Sequence, residues 1–349
     1  MYHIFGYLNY ITTNTVHQLI IKNVFNKGYL GVNLFFVLSG YLITYLLLTE
    51  KNNSGTINIK NFYIRRILRI WPLFYFVVLL GFFLFPLITH NFNFNDIKNH
   101  FLSYFMFAGN FDRINTNFSG AGNDNLGVLW TIAVEEQFYL FWPILIKFIN
   151  KKIIPYVFVA IVLFCLFFRS LNINNYNVLY FHTFSVMSDM AVGGLGAYLI
   201  IYNQWFISKI YWLSKHQIIT IYIVGMIVVL TTNYWYNVNY ITKISERLVL
   251  SLFFIFVILE QCFSKKSIYK LGNFKFLSKA GLLTYGLYCL HMYSISIMQK
   301  INNILGWQQL NSIKLYLEFF IILAISVALS YISYRFFEKK LLTFKNRFN

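Results

Sequence analysis

Two adjacent glutamates, Glu135 and Glu136, stand near the start of a segment that is otherwise apolar and runs on through Ile146. An ionised carboxylate in hydrocarbon is costly, so an acid within or beside a membrane span is a candidate functional group. On a helix the two side chains project about 100° apart, and at most one is expected to face a bundle interior. Such a carboxylate could act as a general base, orient a histidine or accept hydrogen bonds from an arginine.

Ser39, Arg66 and Arg69 are further candidates. Ser39 lies beside Gly40 inside an apolar segment, where small residues let another helix or a substrate chain approach closely, and packing is the favoured interpretation. Arg66 and Arg69 are three positions apart and share a helix face. Arginines suit bidentate recognition of phosphate, although anchoring to lipid headgroups explains them equally well.

Asp189 and the histidines complete the set of candidates. Asp189 is a carboxylate within an apolar run, and a hydrogen bond between packed helices explains it as well as chemistry does. His3 and His291 lie within or beside apolar segments; histidine is suited to general-base catalysis near neutral pH, yet a lone membrane histidine more often joins helices. The three cysteines fit neither a metal site nor a disulfide framework and are interpreted as buried packing residues, so no metal site is predicted.

The elements that carry these residues are predicted to be membrane helices. Of the 349 residues, 58% are hydrophobic and 11% are charged, whereas soluble domains carry about 25% charged residues. Apolar runs of about 18–22 residues can cross roughly 30 Å of hydrocarbon. The chain is therefore predicted to be an all-α, polytopic helix bundle with nine complete spans. These are residues 30–49, 67–88, 127–147, 153–170, 181–202, 217–233, 245–263, 279–299 and 315–336.

The distribution of charge predicts the orientation of this bundle. Alternate connections divide the lysines and arginines into 20 on one side and 9 on the other, and the cation-rich side is predicted to be cytoplasmic. The tail 337–349 is then inside, and the loop 89–126 is outside. The net charge of +18 is therefore attributed to topology, and nucleic acid is not expected as a partner.

The start of the chain is unusual in this orientation, because the first complete span must enter the membrane from outside. Residues 1–8 are apolar but too short to cross. We interpret them as the outer end of a tenth helix whose first half is missing; a short extracellular stub is the alternative. No repeat or linker divides residues 1–349, which are predicted to form a single membrane domain.

Four stretches of this sequence resemble the integral-membrane acyltransferase-3 family, the O-acetyltransferases that modify bacterial surface glycans. They are residues 31–40, 62–72, 130–143 and 285–291. The resemblance implies a fold of ten helices in the bacterial cytoplasmic membrane, with no bound cofactor. It also implies an acyl-CoA donor used from the cytoplasmic side, acetyl being the expected group, and a glycan or lipid-linked saccharide hydroxyl as the outer acceptor.

The resemblance also implies roles for individual residues. The essential histidine of the family matches His3, its paired arginines match Arg66 and Arg69, and its Trp-Ser-Leu-x-x-Glu element matches Trp130, Thr131, Ile132 and Glu135. His3 would then be the general base or a transient acyl carrier, with Glu135 orienting it. Ser39 would leave room for the pantetheine arm of the donor.

Three departures from the family pattern are visible. Asn33 stands where the family has an aspartate, and Thr131 stands where it has a serine. A basic residue that the family places eleven positions before the histidine would precede Met1. Two alternatives to an active enzyme are therefore retained: a multipass glycan transporter or flippase, and an inactive remnant of the acyltransferase fold.

Overall fold

The structure, a computed structural model, describes residues 27–90, 92–116, 124–306 and 312–345. Within these segments the chain is helical and contains no strand. Nine described helices have 16 residues or more, and we number them in chain order. They are α1 (Leu30–Ser54), α2 (Ile59–Leu79), α3 (Trp130–Phe148), α4 (Ile154–Leu171), α5 (Thr183–Tyr202), α6 (Lys215–Leu230), α7 (Tyr240–Phe263), α8 (Thr284–Ile304) and α9 (Ser312–Ser333).

Each predicted span coincides with one of these helices, but the structure does not confirm that all nine cross a membrane. Five segments of the described chain are long and apolar enough to do so, and a sixth joins Gln204–Tyr211 to α6 across a bend of 92°. The five are Leu30–Ser54, Ile59–Ile88, Ile154–Leu171, Tyr176–Tyr202 and Tyr316–Phe344. The all-helical class and a multi-pass membrane architecture are therefore supported, at a coarser level than the predicted count.

The long helices outside this set carry much of the candidate chemistry. Helix α3 contains Glu135 and Glu136, and α7 contains Glu246, Arg247 and Glu260. Charged side chains reduce the apolarity of a segment, and within a membrane protein they are retained mainly where they face other protein groups. These helices therefore have the composition expected of helices that line a polar interior.

The chain folds into two compact units, each built from separate stretches of sequence. Within the described residues, one comprises 27–57 and 134–271, and the other comprises 58–133 and 272–345. We call them the α1 unit and the α2 unit. Helix α3 begins in the α2 unit and continues into the α1 unit at residue 134.

Glycines bring α1 and α5 into close contact in the α1 unit. A Cβ atom at Gly40 would overlap the backbone carbonyl of Met190, and one at Gly193 would overlap that of Val37. Small residues allow helix backbones to approach in this way, which strengthens packing where hydrocarbon surrounds the helices. Gly55, with φ of 75°, then ends α1 in the left-handed conformation that glycine adopts readily.

Helices α1, α3 and α5 run parallel. Trp142 Nε1 donates to Thr44 Oγ1 at 2.8 Å, and further along α1 the Lys51 ammonium donates to carbonyls at the end of α3, including that of Ile146 at 2.8 Å. At the same end of α1, the Tyr202 hydroxyl of α5 donates to Asn52 Oδ1 at 2.7 Å. The three helices are every second predicted span, and every second span crosses a membrane in the same direction. The parallel arrangement is therefore the one expected of a multi-pass bundle.

The α2 unit pairs α2 with α8, also in parallel. The hydroxyl of Tyr285 donates to the carbonyl of Ile70 at 2.8 Å, and that of Tyr293 donates to the carbonyl of Val77 at 3.1 Å. Helix α2 begins at Asn58, whose side chain accepts from the Asn61 backbone N–H, a standard N-cap. This cap fixes the start of α2, and the paired arginines follow about two and three turns later.

Candidate active site

Glu135 is a buried carboxylate in the α1 unit, with 5% of its surface exposed. Its Oε1 accepts a hydrogen bond from the Ser39 hydroxyl of α1. The same oxygen accepts from the Tyr139 hydroxyl at 2.9 Å. Tyr139 lies one helical turn beyond Glu135 on α3, so the two side chains share a face. The two hydroxyl donors fix the carboxylate within the protein interior.

Ser39 therefore does more than leave space between helices. Its neighbour Gly40 makes the close backbone contact with α5, while the Ser39 hydroxyl points to Glu135. A hydroxyl that donates to a carboxylate is placed as a proton donor to a base, the arrangement in which an adjacent base activates an oxygen nucleophile. The packing interpretation is incomplete, because it explains Gly40 but not the contact of Ser39.

Asp189, on α5, is the second buried carboxylate of the α1 unit and is fully enclosed. It forms an ion pair with Nη2 of Arg247 on α7 and accepts from Ser251 Oγ at 2.8 Å. The Arg247 guanidinium also lies 6.0 Å from the ring centroid of Phe36 on α1. This network joins three helices, which favours a hydrogen bond between packed helices as the role of Asp189.

Arg169 and Arg247 enter the sequence analysis only through the division of lysines and arginines between the two sides, and the structure shows both to be buried. Arg169 donates to the carbonyls of Leu179, Lys243 and Ile244 at 2.9–3.1 Å. The sequence signal that would have found Arg247 is its position within an apolar helix, where a cation normally has a partner.

The Trp130 end of α3 belongs to the α2 unit. Trp130 is buried, and Thr131 Oγ1 lies 2.5 Å from the hydroxyl of Tyr288 on α8. That tyrosine hydroxyl donates to the carbonyl of Val128 at 2.7 Å. The hydroxyl retained by Thr131 thus joins the start of α3 to α8.

His291 follows Tyr288 on α8 and is held by its own helix. Its Nδ1 lies 2.8 Å from the carbonyl oxygen of Tyr288 and 3.1 Å from that of Leu287. A carbonyl oxygen only accepts, so Nδ1 carries the proton and Nε2 is the acceptor nitrogen of the neutral ring. These contacts bind Nδ1 to α8 itself, and the interpretation that this histidine joins two helices stays a prediction.

The paired arginines lie about two and three turns into α2, in the α2 unit. Arg66 is half-buried, with its guanidinium 5.6 Å from the ring centroid of Phe62, whereas Arg69 is exposed. The Glu338 carboxylate lies within electrostatic range of Arg69 and accepts from the Ser333 hydroxyl at 2.8 Å. Sequence analysis assigned no role to Glu338, although an acid here would compete with a phosphate for Arg69.

The remaining candidates are placed as follows. Asn33 is buried near the start of α1, and Glu136 is partly buried. His3 lies outside the described residues. Among the described residues no group of three or more histidine, cysteine or acidic side chains could hold a metal ion. Of the cysteines, Cys165 and Cys289 are buried as predicted, whereas Cys262 is exposed on α7.

The chain matches one family of known proteins and several curated relatives. The family model described as an acyltransferase domain, Acyl_transf_3, matches residues 1–335. The peptidoglycan O-acetyltransferase OatA of Listeria monocytogenes serovar 1/2a is 38% identical over 126 residues, which cover 33% of this chain and 19% of the relative. A putative O-acetyltransferase of Staphylococcus aureus strain COL is 32% identical over 190 residues, or 51% of this chain and 31% of the relative.

The O-acetyltransferase OatA of Staphylococcus aureus strain NCTC 8325 is 34% identical over 131 residues, which cover 37% of this chain and 22% of the relative. The chain thus spans less than a third of the length of each of these curated relatives. No solved structure matches the chain.

Proposed function

Because the chain belongs to the integral-membrane acyltransferase-3 family, we propose that it transfers an acetyl group from acetyl-CoA to a hydroxyl of a cell-surface or exported glycan. The observation that carries the proposal is the buried contact of Ser39 with Glu135. It places two family elements from distant parts of the sequence side by side in the α1 unit. The acceptor is proposed from the relatives, two of which are named O-acetyltransferases and one a peptidoglycan O-acetyltransferase.

The donor is proposed to enter from the cytoplasmic side, beside Arg66 and Arg69 of α2. Arg69 is exposed there, so its guanidinium can reach the phosphates of coenzyme A, and Arg66 shares its helix face. Bidentate, charge-assisted hydrogen bonds make arginine the suitable cation for this contact. The proposal keeps the predicted orientation, with ten helices in the complete fold and the C-terminus in the cytoplasm.

Transfer itself requires a base for the acceptor hydroxyl. In the proposed step His3 accepts the hydroxyl proton, and the acceptor oxygen attacks the thioester carbonyl. The carbon–sulfur bond then breaks, and the imidazolium returns the proton to the sulfur, so that coenzyme A leaves as its thiol. Glu135 orients His3 and stabilises the imidazolium that forms. General-base assistance of this kind contributes about 10²–10⁴-fold to the rate.

A glycan transporter is the second candidate, and the bent helix pair is the feature that bears on it. Transporters often contain helices broken near the membrane midplane. Here the short helix Gln204–Tyr211 has an interfacial character instead, because the Lys209 ammonium lies 5.5 Å from the ring centroid of Trp205. Aromatic and basic residues concentrate at the membrane surface, so this bend favours a surface helix and not a translocation path.

Acetyl transfer measured with the full-length chain and labelled acetyl-CoA tests the proposal. His3→Ala is expected to lose about 10²–10⁴-fold in rate, and Arg69→Ala is expected to raise the KM for the donor. Lys60→Ala is the matched control, since Lys60 is an exposed cation of the same stretch. Wild-type rates in both test variants would refute the assignment, and no transfer by the wild type would identify an inactive remnant.

A further inference from the structure

Five ionisable side chains form a charge cluster in the α1 unit, at the end where α1 begins. Three are cations, Lys27, Arg169 and Arg247, with 2–6% of their surfaces exposed. Two are acids, the fully buried Asp189 and the mostly buried Glu246. Lys27 immediately precedes α1, at the end of the helix that is predicted to face outside.

Both acids of this cluster already lie close to cations of the same cluster. Asp189 pairs with Arg247. Glu246 lies 4.0 Å from Arg169, and it is also the acid whose charge acts on Lys27. With all five groups ionised the cluster carries one positive charge in excess. An uncompensated charge in the protein interior is strongly unfavourable, so the cluster has a deficit of one anion.

Three hydrogen-bond donors of the same region have no partner among the described residues. They are Lys27 Nζ, Arg247 Nε and Asn33 Nδ2, each of them buried. Asn33 lies one helical turn before Phe36 on the same face of α1, and Phe36 is the ring over which the Arg247 guanidinium lies. A buried donor without an acceptor is costly, and all three are donors, so the group that would satisfy them is an acceptor.

The rest of the chain cannot readily supply that acceptor as a carboxylate side chain. Residues 1–26, 91, 117–123, 307–311 and 346–349, which the structure does not describe, contain no aspartate or glutamate. Burial lowers the pKa of Lys27, and the charge of Glu246 opposes that shift only in part. An arriving anion would favour the charged ammonium and complete the balance.

We propose that Lys27, Arg247 and Asn33 bind one oxyanion, a carboxylate or a phosphodiester, that is carried by the acceptor. Charge-assisted hydrogen bonds from an ammonium and a guanidinium suit either group. Assignment of the oxyanion to the acceptor rests on the proposed acyl transfer, whereas the binding of an oxyanion does not. The acceptor is then an acidic glycan, held at the predicted outer end of α1.

Thermal unfolding of the full-length protein in a nonionic, phosphate-free detergent tests the binding without any donor. The probes are glucuronate against glucose, and glycerophosphoglycerol against glycerol, at constant ionic strength. At least one anion is expected to raise the unfolding midpoint saturably above its neutral counterpart. A shift with glucuronate alone identifies a carboxylate acceptor, a shift with glycerophosphoglycerol alone identifies a phosphodiester, and a shift with both identifies a site for either.

Variants of the cluster distinguish a binding site from a structural network. Lys27→Arg is expected to keep the anion-induced shift and Lys27→Met to lose it, while Lys98→Met, at an exposed lysine, behaves as wild type. Asn33→Asp supplies the missing carboxylate, so it is expected to raise the anion-free midpoint and to abolish the shift. The proposal is overturned if neither anion exceeds its neutral counterpart with the wild type, or if the shift persists in Lys27→Met or Asn33→Asp. Failure of acetyl transfer leaves these binding results unaffected.

Discussion

Glu135 and Asp189 are both buried carboxylates of the α1 unit, yet their surroundings differ. Asp189 faces a guanidinium, that of Arg247, whereas the hydrogen bonds to Glu135 include the hydroxyls of Ser39 and Tyr139. A buried carboxylate and a buried guanidinium that pair with each other form part of the framework, because removal of either charge leaves the other uncompensated. Hydroxyl donors can pass protons, and for this reason the proposed function assigns the reaction to Glu135 and the framework to Asp189.

Glu135→Gln tests the reactive half of this comparison and is expected to have the largest effect. The amide oxygen of glutamine still accepts from Ser39 and Tyr139, but the negative charge that orients and supports the base is lost. The acetyl-transfer rate is expected to fall by about 10²–10⁴-fold, with little change in the unfolding midpoint. If the variant instead has a lowered unfolding midpoint and keeps its specific activity, the role of Glu135 is structural.

Asp189→Asn tests the structural half. It leaves the buried Arg247 guanidinium without its counter-charge, which costs about 3–5 kcal/mol. The yield of folded protein and the unfolding midpoint are expected to fall, while transfer per folded molecule is retained. The double variant Asp189→Leu/Arg247→Leu removes both charges and is expected to recover part of the lost stability. A stable Asp189→Asn with no transfer activity would contradict the assignment.

Arg69 and Glu338 extend the comparison to the α2 unit. Loss of a charge-assisted contact costs about 1.5–3 kcal/mol, so Arg69→Ala is expected to raise the donor KM by about 10–100-fold. Glu338→Gln removes the acid that competes for Arg69 and is expected to lower the same KM. Initial rates against acetyl-CoA concentration measure both. Equal KM values in the two variants would show that Arg69 does not bind the donor.

Ser39→Ala gives the smallest expected effect. It removes one neutral hydrogen bond to Glu135, worth about 1 kcal/mol, so the transfer rate is expected to fall about 5-fold. Ser39→Gly, which also lacks the hydroxyl, should behave similarly in rate. A loss as large as that of Glu135→Gln would instead make Ser39 a covalent carrier of the acyl group, detectable as a labelled acetyl-enzyme.

Sequence reasoning located the helices because apolar runs of spanning length are a strong physical signal, and a long helix lies at every predicted span. It also selected Glu135 and Asp189, since a carboxylate within an apolar run is energetically exceptional. The count of crossings was not confirmed, in part because charged residues within α3 and α7 obscure their apolarity.

The partners could not be predicted, because they lie far apart in sequence. Arg247 is 58 residues from Asp189 and Ser39 is 96 residues from Glu135, and helix periodicity fixes only which residues of one helix share a face. For the same reason the sequence did not predict that Glu338 lies near Arg69, or that the charges around Lys27 do not balance. Only packing of the helices brings such groups together.

Transfer from labelled acetyl-CoA in inverted membrane vesicles tests the central claim most directly, because the donor is then supplied to the proposed cytoplasmic face. We predict that label reaches the glycan fraction only in vesicles that contain the chain, that alkali releases it as expected of an O-ester, and that right-side-out vesicles stay unlabelled. Label that is independent of the chain, or equal from both faces, would contradict the account.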